Sequence, residues 1–338
     1  MLRRVPTELT DKEKSALLDQ VPEIVTRLEH ELARVIVGQR EVIRQLLVSF
    51  LAAGHLIIEG VPGLAKTLII RSLADATDLQ FKRIQFTPDL MPSDIIGTEV
   101  IEEDLSTGKR VTRFIPGPLF ANIILADEIN RTPPKTQAAL LEAMQEHQVT
   151  VGGKSYEMAE PFFVLATQNP IELEGTFALP EAELDRFMMK IVIDYPGIEE
   201  EKTMLARTTS SSLPAVSRVI DSRGVMALQS IVRDVPAATN IVDYAARLVR
   251  ATRPGTTDAR DYTNEWIKWG AGPRAGQALL LGAKSLALLD GRLTVSFDDV
   301  RSLARAVLRH RIIMNFRAEA QGITPDLAIS RLLDEVKV

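Results

Sequence analysis

The chain of 338 residues carries 40 basic and 45 acidic side chains, and its net charge of −5 gives no overall attraction to nucleic acid or anionic lipid. It contains no cysteine, which excludes disulfides, thiolate metal sites and cysteine nucleophiles. Hydrophobic content of 46% and charged content of 25% are ordinary for a globular protein, and the length suggests two domains.

Met1-Leu-Arg-Arg-Val-Pro runs straight into charged helix without an apolar signal core, so a cytoplasmic location is expected. No apolar run approaches the ~18 residues that a membrane span needs, so no membrane insertion is expected. Thr10-Asp-Lys-Glu13 fits a capping box and starts a first helix. Pro22 fits the first turn of a second helix, with Ile24, Val25, Leu28, Leu32 and Val35 as its apolar stripe and Gly38 as its stop. Strands are expected at His55–Glu59, Phe81–Phe86, Asn122–Asp127, Phe162–Thr167 and Met188–Ile193. Several are continuous apolar runs, as in a parallel sheet buried on both faces. Helical stretches after Thr67 and from Pro134 to His147 alternate with them, giving a three-layer αβα core. Two hairpins interrupt it, at about 96–115 and 148–158, the second turning on Gly152-Gly153. After Tyr195-Pro-Gly197 the chain reads as helices, with breaks near Ser210–Pro214, Val235-Pro236, Arg253–Thr257 and Gly270–Pro273. The expected domains are therefore 1–197 and an all-α region, 198–338. His30, His55, His147 and His310 are scattered, with no pair at metal-ligand spacing.

Two stretches carry the chemistry. Gly60, Val61, Pro62, Gly63, Leu64, Ala65, Lys66 and Thr67, with Leu68 behind them, follow the first strand and open a helix. Glycines let backbone N–H groups converge on phosphate oxygens, and the helix N-terminus favours the anion. Lys66 would reach the β- and γ-phosphates and Thr67 would bind Mg²⁺. Ala65 stands where the general pattern has glycine, and its methyl group calls for a negative φ. The second stretch, Ile123-Ile-Leu-Ala-Asp127-Glu128, ends a buried strand with two carboxylates. A carboxylate there needs a partner or a task. Mg²⁺ coordination suits Asp127, and activation of the attacking water suits Glu128. The plainer alternative is an acidic pair capping the next helix. Asn169, past another apolar strand, could orient that water, though Gln-Asn-Pro alone is only a turn. Arg186 is either an ordinary surface partner of Asp185 or a finger reaching into a neighbouring subunit. Arg274 opens a helix in the second domain, from which it could reach over the nucleotide.

In this order, Gly60-Val-Pro-Gly-Leu-Ala-Lys-Thr67, Gln85-Phe-Thr-Pro-Asp-Leu-Met-Pro-Ser-Asp94, Pro116-Gly-Pro-Leu-Phe120, Leu125-Ala-Asp-Glu-Ile-Asn-Arg131, Ala166-Thr-Gln-Asn-Pro170 and Glu183-Leu-Asp-Arg-Phe187 resemble the MoxR family of AAA+ ATPases across residues 20–320. Alanine before the lysine is usual there. The resemblance implies a 5-1-4-3-2 parallel sheet with a helical lid and a homo-hexameric ring with ATP and Mg²⁺ at subunit interfaces. It makes Lys66 and Thr67 the Walker A residues, Asp127 and Glu128 Walker B, Asn169 sensor 1, Arg186 the arginine finger and Arg274 sensor 2. Val37-Gly38-Gln39 resembles the segment beside adenine, and both hairpins resemble inserts facing a ring pore. The family is associated with chaperone-like remodelling of protein clients, often alongside a von Willebrand A-domain partner.

Three alternatives remain beside an ATP-driven remodeller. A metal-chelatase-type AAA+ subunit shares the architecture. A nucleic-acid motor has support from Arg301, Arg305 and Arg309 on one helical face with Arg311 beyond, but the chain is acidic overall, which disfavours nucleic acid as a partner. A non-hydrolysing nucleotide-dependent scaffold would have little use for Glu128 and Arg186.

Overall fold

The computed structural model of the protein describes residues 11–104, 109–170, 175–209 and 214–338. The expected cap at Thr10, the first hairpin's turn at 105–108 and the break at 210–213 lie outside the described residues.

One helix, α1 (Asp11–Val35), stands where two were expected. Pro22 is internal to it and does not begin a new helix. A proline there removes an i→i−4 bond and costs ~3 kcal/mol. The ring lies on the exposed side, while Val21, Val25, Leu28 and Leu32 form one fully buried stripe through it. Burying four such side chains, each worth about 1.5–3 kcal/mol, outweighs the lost bond. Gly38, in the left-handed region at φ 68°, turns the chain into α2 (Arg40–Leu51). That helix was not anticipated, although Val42, Ile43, Leu46, Leu47 and Phe50 have helical spacing and are buried.

The core then runs β1 (Leu56–Glu59), α3 (Lys66–Thr77), β2 (Phe81–Gln85), α4 (Pro92–Ile96), β3 (Gly97–Asp104), β4 (Lys109–Pro116), β5 (Ile123–Asp127), α5 (Pro134–Glu146), β6 (Gln148–Val151), β7 (Lys154–Glu157), β8 (Phe163–Gln168), α6 (Glu181–Leu184) and β9 (Met189–Val192). Five strands form a parallel sheet in the order β2-β5-β8-β1-β9. Counted along the chain, that is the expected 5-1-4-3-2. Alternate residues serve opposite faces. Leu56, Ile58, Leu125 and Leu165 join the core under α1, α2 and α3, while Ile57, Ile124, Ala126 and Ala166 join the one under α5. The hairpins β3–β4 and β6–β7 form as expected and touch, with Phe114 stacked on Tyr156 at 4.1 Å.

The remainder is α7 (Ile198–Thr208), α8 (Ser222–Asp234), α9 (Thr239–Arg250), α10 (Asp261–Trp266), β10 (Ile267–Trp269), α11 (Pro273–Leu289), α12 (Phe297–Leu308), β11 (Ile313–Met314), α13 (Phe316–Ala320) and α14 (Pro325–Glu335). The helical reading of this region needs one addition, the small antiparallel pair β10–β11. The lid helices share a hydrophobic core with α1, α2 and the edge strand β9, through Met188, Met189 and Ile191. No helix among the described residues is long and apolar enough to cross a membrane.

Candidate active site

The C-terminal ends of β1, β5 and β8 open onto a cleft of about 430 Å³ that brings together Lys66, Thr67, Asp127, Glu128 and Asn169. Pro62, Gly63, Ala65 and the partly exposed Leu68 line it from the loop before α3. Gly60 packs on β9's exit, where an added Cβ would stand 2.9 Å from the Ile193 carbonyl oxygen. Val37 and Gly38 do not line the cleft, but they lie beside the same exit: Gln39 Nε2 donates to the Asp194 carbonyl at 3.4 Å. Val61 and Leu64 are half-buried in the loop.

Ala65 departs from expectation. Its φ is +56°, so the residue occupies the left-handed region in spite of its methyl group. That conformation costs an L-residue about 1–2 kcal/mol. It lets the loop turn sharply into α3, whose first bond runs from Ile69 N–H to the Ala65 carbonyl at 2.9 Å. Glu128 also has a positive φ, +56°, and its N–H donates to Thr167 Oγ1 at 2.8 Å. Non-glycine residues held this way cluster where geometry is functionally constrained.

Lys66 Nζ donates to the Gly60 carbonyl oxygen. Burial pushes its ammonium below the usual lysine range, while Asp127, Glu128 and Glu59 pull it back up. The acidic pair is held by partners that the sequence did not single out. Asp127 Oδ1 accepts from Thr167 Oγ1 at 2.7 Å, and Oδ2 accepts from Arg83 at 2.6 and 3.0 Å. Glu128 Oε2 accepts from Arg131 at 3.0 Å and from Gln85 at 3.2 Å. Gln85 lies opposite Asp127 in the β2–β5 register, and Arg83 is two residues back on the same face. That period-two spacing was the available signal for both. Asn169 is only 5% exposed.

Arg186 and Arg274 do not line this cleft. Arg186 donates from one terminal nitrogen to the Leu141 carbonyl at 3.0 Å, and its Nε is buried without a hydrogen-bond partner among the described residues. Arg274 pairs instead with Asp185, at 3.6 Å.

The arginines offered as support for a nucleic-acid surface are used within the chain. Arg301 bonds Tyr244 Oη and the Leu333 carbonyl, Arg305 bonds Ser330, and Arg309 forks onto Asp326 at 3.0 and 2.8 Å. They fasten α14 to the lid.

Known proteins resemble this chain over most of its length. Residues 55–189 match the ATPase family associated with various cellular activities (AAA), and residues 260–332 match the AAA lid domain. The protein named Chaperone MoxR1 of Mycobacterium tuberculosis is 42% identical over 90% of this chain and 80% of its own. Uncharacterized protein YeaC of Bacillus subtilis is 40% identical over 95% and 96%. Protein MoxR of Paracoccus denitrificans is 32% identical over 88% and 92%. A crystal structure from Cytophaga hutchinsonii superposes with a TM-score of 0.88 at 39% identity, covering 96% of this chain and 98% of that one. With its 5-1-4-3-2 sheet and helical lid, the chain belongs to the MoxR family of AAA+ ATPases.

Proposed function

We propose that this MoxR-type ATPase hydrolyses ATP only where two copies meet, in a homo-hexameric ring that remodels a protein client together with a von Willebrand A-domain partner. One observation carries the reading. The cleft gathers Lys66, Thr67, Asp127, Glu128 and Asn169, yet neither Arg186 nor Arg274 lines it. Arg83 does line it, but its guanidinium is forked onto Asp127, so the site lacks an arginine free for the transferring group, and a second copy is the economical source of one.

Backbone N–H groups of 60–66 and the Lys66 ammonium bind the phosphates in this reading. The Thr67 hydroxyl and Asp127 carboxylate are hard oxygen donors of the kind Mg²⁺ takes. When bound, that ion supplies charge neutralisation at the phosphate oxygens. Glu128 accepts a proton from the attacking water, and Asn169 orients that water. Arg186, with Arg274 close behind it, neutralises charge on the transferring group of the neighbouring copy. Val37 and Gly38, beside the exit of β9, flank the base. The β3–β4 hairpin exposes Val111 and Ile115 on one face and Ile101 on the other, apolar side chains available to a client.

The test is ATPase rate per subunit against protein concentration, with light-scattering mass, for wild type and Arg186→Ala. The reading expects rate to rise with assembly and to collapse in the variant at unchanged mass. A rate independent of concentration and of Arg186 would overturn it.

A further inference from the structure

Asp185 sits where the lid meets the sheet, one residue before Arg186, and two lid arginines share its carboxylate. Arg311 Nε donates to Oδ1 at 2.7 Å, and an Arg274 terminal nitrogen stands 3.6 Å from Oδ2. The two are held very differently. Arg311 is 7% exposed. Its remaining donors reach the carbonyl oxygens of Asp185 (3.0 Å), Phe187 (2.6 Å), Met188 (3.1 Å) and Val307 (2.5 Å). All five N–H groups of the guanidinium are thereby used, and all acceptors but Val307 belong to 185–188. His310 Nε2 adds a bond to the Phe187 carbonyl at 3.1 Å. Arg274 has one long ion pair and a side chain 41% exposed.

A fixed cation and a loose one on a single carboxylate make a holder. The buried charge of Arg311 ties the backbone of 185–188 to the lid, and Arg186 is carried on that backbone. The long, half-solvated pair lets Arg274 leave Asp185 for a phosphate. We infer that Arg311 and Asp185 are positioning residues: Arg311 fixes Asp185, and Asp185 sets the Arg186 backbone while keeping Arg274 in reserve, so that both arginines reach a neighbouring copy's phosphates as one unit. This rests on the interface reading above. The plainer account is a staple between lid and sheet that matters only for stability.

Complementation between copies separates them. Lys66→Ala copies lose their own phosphate loop but keep residues 185, 186, 274 and 311. Asp185→Asn copies keep the phosphate loop and lose the holder's charge at constant shape. Alone, Asp185→Asn should keep KM and fluorescent ATP-analogue binding within about twofold while kcat falls about tenfold or more, less than the ~10³–10⁵ that a whole finger is worth. Mixed with Lys66→Ala, it should regain turnover, because Lys66→Ala copies present intact arginines to Asp185→Asn sites. Unchanged kcat in Asp185→Asn, or no recovery on mixing, overturns the inference. A mixture of Arg186→Ala with Lys66→Ala is the control. If that pair also stays inactive, the interface reading itself has failed; if it recovers and the Asp185→Asn pair does not, only the holder has. Should Asp185→Asn melt at the assay temperature, Arg311→Lys, which keeps the charge but not the five-donor fork, carries the same mixing test.

Discussion

Arg83 donates to Asp127 Oδ2 from both Nε and a terminal nitrogen, at 3.0 and 2.6 Å, so the carboxylate that closes β5 already carries an ion pair. Arg83 is half exposed, with 48% of its side chain in solvent. Such pairs are worth ~0.2–1 kcal/mol. A divalent cation arriving at Asp127 must compete with it. Arg83→Gln should lower the Mg²⁺ concentration that half-saturates Mg-dependent ADP-analogue binding by about two- to fivefold, the equivalent of up to ~1 kcal/mol. An unchanged Mg²⁺ titration would show that the pair does not persist in solution.

Glu128→Gln should bind ATP with near-normal affinity and lose turnover by about 10²–10⁴-fold, the usual contribution of a positioned base. Lys66→Ala should lose binding itself, because its ammonium, held on the Gly60 carbonyl, lines the cleft within electrostatic reach of both carboxylates. Equilibrium binding of a fluorescent analogue and single-turnover hydrolysis check both. Wild-type turnover in Glu128→Gln would put the base elsewhere.

His55 sets an acid limit on stability. Its Nδ1 accepts from Val164 N–H and its Nε2 donates to the Met144 carbonyl, each at 3.1 Å, so the ring is held neutral. Burial, then the nearby His147, pushes its pKa down from 6.5 to about 3. His310 is shifted the same way by burial. A folded pKa below the unfolded one means the unfolded chain binds more protons, so stability is whole above about pH 6.5 and falls as pH drops below it. Each ring removes up to about 1.4 kcal/mol per pH unit. Urea midpoints between pH 7.5 and 5 should fall on the acid side. A midpoint flat across that range, or a His55 resonance titrating near 6.5 in the folded protein, would contradict this.

DNA should leave the ATPase rate unchanged, even at low salt. Arg301, Arg305 and Arg309 are each engaged within the chain, with Tyr244 and the Leu333 carbonyl, Ser330 and Asp326, so they do not stand as a row of free cations. Counterion release needs cations that can reach phosphates. A salt-sensitive stimulation by single- or double-stranded DNA would contradict the assignment.

The parts readable from sequence were local ones. All five sheet strands were expected, several from continuous apolar runs and β2 in spite of Lys82 and Arg83, and the turn of Gly60–Thr67 into a helix needs only its own neighbours. The helix break at Pro22 was misread because propensity is local while the stripe Val21–Leu32 gains its energy from packing on α2, α3, α8 and α11. The left-handed Ala65 went unforeseen because the loop's other bonds, not alanine's preference, determine its φ. Thr167 lay inside the quoted Ala166–Pro170 motif, yet its bond to Asp127 depends on two strands being adjacent. Asp185 and Arg311 are 126 residues apart, and nothing at either position announces the other.

The core that runs from Val21 through Met188 and Ile191 to Leu332 has a mechanical consequence. A lid that hinged freely on its own sheet would have to pull Leu303 of α12 away from Met188 and Met189 at the β9 edge and wet it. A core shared in this way resists independent lid motion, so in the proposed ring any ATP-driven change would fall at the contacts between copies.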